Sequence, residues 1–310
     1  MRVNLKNCGG RRMDRKRGFM LVLCTALISG FSIFINSFAI AKFDPFVLTG
    51  LRNFVVALFT LSFIYLTSHL NELRKISKVD WLKLAGWGAV DGGVAFMLYF
   101  YGMKLSNVIL ASILHKSIFI FASAMAFAVL KEKLNWRWVA GAVFLLCGAA
   151  LLSGIPSEEM KGGESAVFAA VLLWAAGNVV AKKLLERISV RNLIFGRMFF
   201  GSIVILGFLA ATGSFSFSLT TDHYIWLLLT SILLVGYQFT YFSGLSLLKV
   251  SEATSVLTLG AVVTSLLSVL VIKQLTPVEL LGIIGVASGV VLVYLSGEVE
   301  NVHHKTIPRC

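Results

Sequence analysis

The chain has 310 residues, of which 57% are hydrophobic and 14% charged, with mean hydropathy +0.86 and a net charge of +13. Soluble domains average about 45–50% apolar and about 25% charged residues, so a soluble globular fold is excluded. The basic balance is not a nucleic-acid footprint either, because lysine and arginine are concentrated in short turns between long apolar runs.

A bilayer-spanning helix needs about 20 mainly apolar residues, and ten segments qualify: 18–41, 45–67, 81–104, 106–130, 136–154, 164–184, 192–212, 224–248, 251–273 and 277–296. A basic tail, 1–17, precedes them. Span one follows basic residues and ends in Ala39-Ile40-Ala41, as a signal peptide would. Its apolar run is about 24 residues, whereas a signal core is about 7–15, so it is read as a retained span. Asn36 is its polar residue. Span two carries Arg52. Span three carries Asp91, Tyr99, Tyr101 and the motif Gly88-x-x-x-Gly92, which permits close helix approach. Span four contains the adjacent pair His115 and Lys116. Trp174 and Asn178 mark span six, and Arg197 lies in span seven. Tyr237, Gln238 and Tyr241 mark span eight. Gly285-x-x-x-Gly289 in span ten suits packing against span five or against a second subunit. Cys8, Cys24, Cys147 and Cys310 show neither metal spacing nor a framework of pairs, and no metal or cofactor is expected.

Charge sets orientation, since cytoplasmic loops are enriched in Lys and Arg. With the amino terminus inside, 21 of the 28 basic residues fall in inside segments. Only Lys42, Lys104, Lys161 and Lys273 fall outside, and Arg52, Lys116 and Arg197 lie within spans. Both termini are therefore expected in the cytoplasm.

The chain also repeats. "LTGLRNFVVAL" (48–58) resembles "LIFGRMFFGSI" (193–203), which pairs Arg52 with Arg197. "YGMKLSNVILASIL" resembles "SGLSLLKVSEATSV", and Gly141 and Gly148 match Gly282 and Gly289. Five spans per half is an odd number, so the second half enters the membrane inverted. Such repeats build alternating-access transporters with a site near the midplane.

On these repeats, the recurring arginine of spans two and seven, Glu132 after span four and the glycine-rich fifth and tenth spans, the chain resembles the drug/metabolite transporter superfamily, in its ten-helix EamA-type branch. That resemblance implies an all-α membrane protein: a first five-helix repeat at 18–154, an external linker at 155–163, a second repeat at 164–297 and a cytoplasmic tail at 298–310. It implies a central cavity lined by spans one to four and six to nine. Spans five and ten would be peripheral, where some relatives form homodimers. Departing from the pattern, "ILHKSIFIF" and "VLTLGAVVT" lack the proline common in the middle of spans four and nine. Plastid sugar-phosphate translocators, in the same superfamily, carry a cavity lysine in span four, but their basic dyad in span nine has no match at Thr258 and Leu259.

Ionisable residues at bilayer depth are costly, about 2.5–3.5 kcal/mol each on insertion scales, and mark function by default. Helix rise puts Lys116 and Asp91 each about 15 Å deep, on adjacent antiparallel helices, which predicts an Asp91–Lys116 ion pair. It is either structural or a substrate and coupling site. His115 lies about 100° around the helix from Lys116, as a substrate or proton-relay residue or a neutral packed imidazole. Tyr99, Trp174, Gln238 and Tyr241 form a candidate amphipathic lining, with Asn36 and Asn178 as hydrogen-bonding residues. The repeat gives Asp91 no charged counterpart, because it maps to Leu233. Arg52 and Arg197, each about two turns inside its span, are gate candidates or snorkel to the headgroups.

The function expected is secondary active transport of a small polar metabolite such as an amino acid, by alternating access in the plasma membrane, with export the commoner direction in the resembling family. The lipid bilayer and a small-molecule substrate are the expected partners. The alternatives are an intramembrane enzyme and a non-transporting receptor or scaffold. Aspartyl proteolysis needs two carboxylates where Asp91 is the only mid-span acid, and neither H-E-x-x-H nor a P-loop occurs.

Overall fold

In the computed structural model the described residues are 6–40, 44–105, 113–153, 162–214, 220–271 and 275–306, and among them every regular element is helical. The elements are α1 (Lys6–Ile40), α2 (Pro45–Leu66), α3 (Leu70–Arg74), α4 (Lys78–Ala89), a π-turn (Val90–Val94), α5 (Ala95–Leu105), α6 (Ile118–Leu130), α7 (Trp136–Ser153), α8 (Glu164–Leu184), α9 (Val190–Ala211), α10 (Thr221–Leu247), α11 (Val250–Val256), α12 (Leu259–Val271) and α13 (Pro277–Thr306). Lys42, Lys161, Lys273 and most of the expected linker 155–163 lie outside the described residues.

Hydrocarbon offers no partner for backbone polar groups, so each must be satisfied within the chain. The helix ends show how. Asp44 caps α2 by accepting from the backbone N–H of Phe46 at 2.9 Å and Val47 at 3.2 Å, ahead of Pro45, where a missing N–H costs nothing. Within the helices, the hydroxyls of Thr25, Thr60 and Ser123 donate to the carbonyls of Leu21, Val56 and Phe119 one turn back.

Nine stretches among the described residues are long and apolar enough to cross a membrane. The remaining expected span, 81–104, is the uninterrupted run α4, π-turn, α5, in which the π-turn leaves two helices of 12 and 11 residues. The spans expected at 106–130 and 251–273 are also broken, at Ser117 and at Leu257–Thr258. Ser117 N donates to both Ile113 O and Leu114 O, and Thr258 N donates to Ser255 O. The interruption that a proline would impose is thus made by short three-residue turns instead.

Neighbouring helices pair in a pattern that survives exchange of the two halves. α1 packs on α10 and α12, while α8 packs on α5 and α6; α2 packs on α9, and α7 on α13. The last pair is the most extensive. A side-chain carbon at Gly141 would lie 2.9 Å from Gly289 O, and one at Gly148 would lie 2.8 Å from Gly282 O. The glycines of span ten are therefore used within the chain, against span five. The motif of span three does the same work against α9, where Gly88 and Gly92 abut the carbonyls of Gly196 and Arg197. Small residues of this kind let helix backbones meet where no hydrophobic drive exists.

Candidate functional site

The π-turn widens the helix and carries Asp91 into the interior. Such one-turn π segments recur at functional sites. Asp91 is 4% exposed, and its Oδ2 accepts from Nε of Arg197 in α9 at 2.5 Å. The Arg197 guanidinium lies over three rings, 5.6 Å from Phe96, 5.8 Å from Phe242 and 6.0 Å from Trp87, an arrangement in which ring faces favour the cation.

Asp91 is held on every side. Trp174 Nε1 donates to Asp91 O at 3.0 Å, and Trp87 Nε1 donates to Gly177 O at 3.0 Å. Asn53 Nδ2 donates to Gly92 O at 3.0 Å. The carboxylate lies against Gly177 of α8, filling the place where a side chain would start. From Trp174 the chain of bonds continues across the molecule: Asn178 Nδ2 donates to Trp174 O at 2.8 Å, and the Tyr241 hydroxyl of α10 donates to Asn178 Oδ1. A polar path thus runs α10, α8, π-turn, α9, crossing between the halves twice.

Beside this path three rings meet. Tyr99 lies 5.3 Å from Trp174 and 4.9 Å from His115, and His115 lies 5.5 Å from Trp174. Phe96 adds an edge contact to Trp174 at 5.1 Å. Tyr99, His115 and Trp174 are therefore brought together as three touching rings.

The expected Asp91–Lys116 pair is not formed. Lys116 Nζ donates to Ser153 Oγ, in the last turn of α7, at 3.1 Å, and no acid lies within ion-pair distance of it among the described residues. The reason is azimuth. His115 and Lys116 are successive on one turn, so when His115 meets Trp174, Lys116 is turned away to α7. Arg197, expected as a gate candidate or at the headgroups, is enclosed at 8% exposure and is the counter-charge of Asp91. Snorkelling is also ruled out for Arg52, which is 5% exposed. Its Nη1 donates to Asn36 Oδ1 at 3.5 Å, and Asn36 Nδ2 donates to Ser32 Oγ at 3.1 Å. Gln238 is fully buried between α10 and α9, with Nε2 3.8 Å from Met198 Sδ, while Tyr101 is exposed. Among the described residues no group of three His, Cys, Asp or Glu could hold a metal ion.

At the end of the molecule that carries the basic turns, Glu132, Arg15 and Arg191 link the halves, and Lys182 ties α8 to α10 within the second half. Glu132 caps α11, accepting from Val250 N at 2.7 Å, Ser251 N at 3.1 Å and Ser251 Oγ at 2.7 Å. Lys182 Nζ donates to the carbonyls of Leu245, Ser246 and Leu248 at the end of α10. Arg15 pairs with Glu252 at 3.0 Å and donates to Tyr294 O at 2.7 Å. Arg191 donates to Glu72 at 2.5 Å, and that bond holds the Glu72 carboxyl below the usual carboxylate range. Asp91, Tyr99, His115 and Trp174 were legible from the sequence; Trp87, Asn53, Gly177 and Lys182 were not. The one signal for Gly177 was its small-residue run Ala175-Ala176-Gly177 beside Trp174.

Apolar helices around a buried polar path between two matching halves define a multi-pass membrane protein of the transporter type. The description of the EamA-like transporter family matches residues 16–154 and again 161–295, and the chain belongs to that family. It is similar to an uncharacterized transporter of Clostridium kluyveri, 23% identical over 302 residues that cover 92% of this chain and 96% of the relative. It is also similar to a probable amino-acid metabolite efflux pump of Salmonella typhimurium, 25% identical over 178 residues, 56% of each chain. A solved structure, 18% identical, shares the fold with a TM-score of 0.75, over 91% of this chain and 98% of that one.

Proposed function

We propose that the protein is a secondary active transporter in the plasma membrane, exporting a small polar metabolite such as an amino acid by alternating access. In this reading ten helices, counting the run α4 to α5 as one, form two inverted repeats with both termini in the cytoplasm. The substrate contacts Tyr99, His115 and Trp174, next to the Asp91–Arg197 pair. The observation that carries the reading is the polar path from Tyr241 through Asn178, Trp174 and Asp91 to Arg197, enclosed among apolar helices where the halves meet. Polar groups inside a membrane-spanning bundle are costly unless they have a task, and in this reading a path that crosses between halves is remade when they move. The relative named as an amino-acid metabolite efflux pump supports the substrate class.

Purified protein in proteoliposomes, loaded with a mixture of labelled amino acids and related metabolites, tests it. Release faster than from protein-free vesicles, and lost in Asp91→Asn, is expected. If no metabolite crosses, and the purified protein instead cleaves or modifies one, the reading is overturned.

A further inference from the structure

Arg197 and Arg52 stand at the same remove from the start of α9 and of α2, in segments that match between the halves. Both are enclosed, at 8% and 5% exposure. Among the described residues only one has a counter-charge. Arg197 finds Asp91 on the helical run that packs against α9, whereas the corresponding partner of α2 is α10, and α10 has no acid after Asp222 near its start. Leu233 stands where the repeat would put one. Arg52 is left with one long bond to a neutral amide, Nη1 to Asn36 Oδ1 at 3.5 Å, while its enclosed Nε donates to nothing. No carboxylate lies within 4 Å of it among the described residues.

A buried guanidinium without an anion is strongly unfavourable, because desolvation is not offset by any attraction. A chain that keeps one has an anion to receive. We infer that Arg52 is the residue that binds the substrate's own carboxylate, which supplies the counter-charge that α10 lacks after Asp222. The inference rests on the transport reading for its choice of ligands, but not for its test. Nε and the adjacent N–H form the fork that takes a carboxylate in two parallel bonds. Asn36, anchored by Ser32, steadies the opposite edge. Asp91 answers Arg197, so the one charge left at Arg52 matches the single negative charge of a carboxylate, which a phosphate dianion exceeds; the ammonium of an amino acid stands outside this balance. A lipid phosphate is disfavoured by the enclosure of the side chain.

The probes are L-leucine, L-phenylalanine and L-threonine, each beside its own amide, which keeps the side chain and amine but removes the anion; inorganic phosphate is the control. Thermal stabilisation of the purified wild type by at least one acid, with its amide at least tenfold less potent and phosphate without effect, is expected. In Arg52→Gln the acid should fall to the potency of the amide. Arg52→Lys, which keeps charge but not the fork, should lie between them; should Arg52→Gln fail to fold, the lysine variant decides, and an unchanged acid-to-amide ratio in it overturns the proposal. Equal potency of acid and amide, stabilisation by phosphate as strong as by the acid, or no stabilisation by any acid also overturns it. Counterflow of the same labelled compounds separates the two claims. Arg52-dependent binding without counterflow supports this inference and sinks the transport reading. Counterflow of amides as fast as acids does the reverse.

Discussion

The carboxylate of Asp91 occupies the space in which a side chain at Gly177 would begin. Two helices from different halves therefore meet through a charge on one and a missing side chain on the other. Gly177→Ala puts a methyl group on the carboxylate and forces Asp91 off Arg197. Transport should fall at least tenfold while folded protein still reaches the membrane. Gly207→Ala, where nothing lies within 4 Å of the added carbon, should transport at the wild-type rate; equal loss in both would refute the contact. The measurement is efflux from proteoliposomes, normalised to monodisperse protein.

Breaking the Asp91–Arg197 pair from one side leaves a buried charge uncompensated, a change that costs about 3–5 kcal/mol. Asp91→Asn should lower the thermal midpoint markedly. Asp91→Asn with Arg197→Gln should recover most of that stability without recovering transport. Melting curves of the three proteins in one detergent check this, and a double variant no more stable than Asp91→Asn would contradict it.

Lys116 gives the opposite expectation. It loses one hydrogen bond to Ser153 when changed to Met, worth about 1 kcal/mol, and shares no partner with Asp91. The Lys116→Met and Asp91→Asn penalties should add within about 0.5 kcal/mol. A double variant more stable than Asp91→Asn alone would show that the two residues form a pair after all.

Glu132→Gln weakens the cap on α11 by about 1 kcal/mol, and about fivefold more of the protein should then be open at its basic end. Ser255 is buried behind that cap. A cysteine placed there should react correspondingly faster with a membrane-impermeant maleimide in the Glu132→Gln background. An unchanged rate would mean that the cap does not hold this end shut.

These outcomes also show where a sequence is transparent. Apolar length and glycine spacing reveal the helices and their close contacts, because both depend on composition within one segment. The partner of Asp91 depends on something else. Counting residues gives depth, and depth pointed to Lys116, with Arg197 read about two turns inside its span as a gate or headgroup residue. The choice was made by the π-turn, which rotates Asp91 towards the other half, and by His115, which takes the inward direction from Lys116. Neither rotation is encoded in a spacing rule. The breaks at Ser117 and Thr258 were invisible for a related reason, as no proline announces them. The Tyr99, His115 and Trp174 cluster was visible as residue types, though not as three touching rings.

The α7–α13 contact has a mechanical meaning. These are the last helices of their halves, and their carbonyls and glycines meet backbone to backbone. Prising them apart would strand close-fitted surfaces that no lipid tail can fill as well. The clasps at the basic end are single polar side chains, each exchangeable for water. The α7–α13 contact is thus welded and the basic end buttoned, so whatever separates the two halves should undo the buttons first.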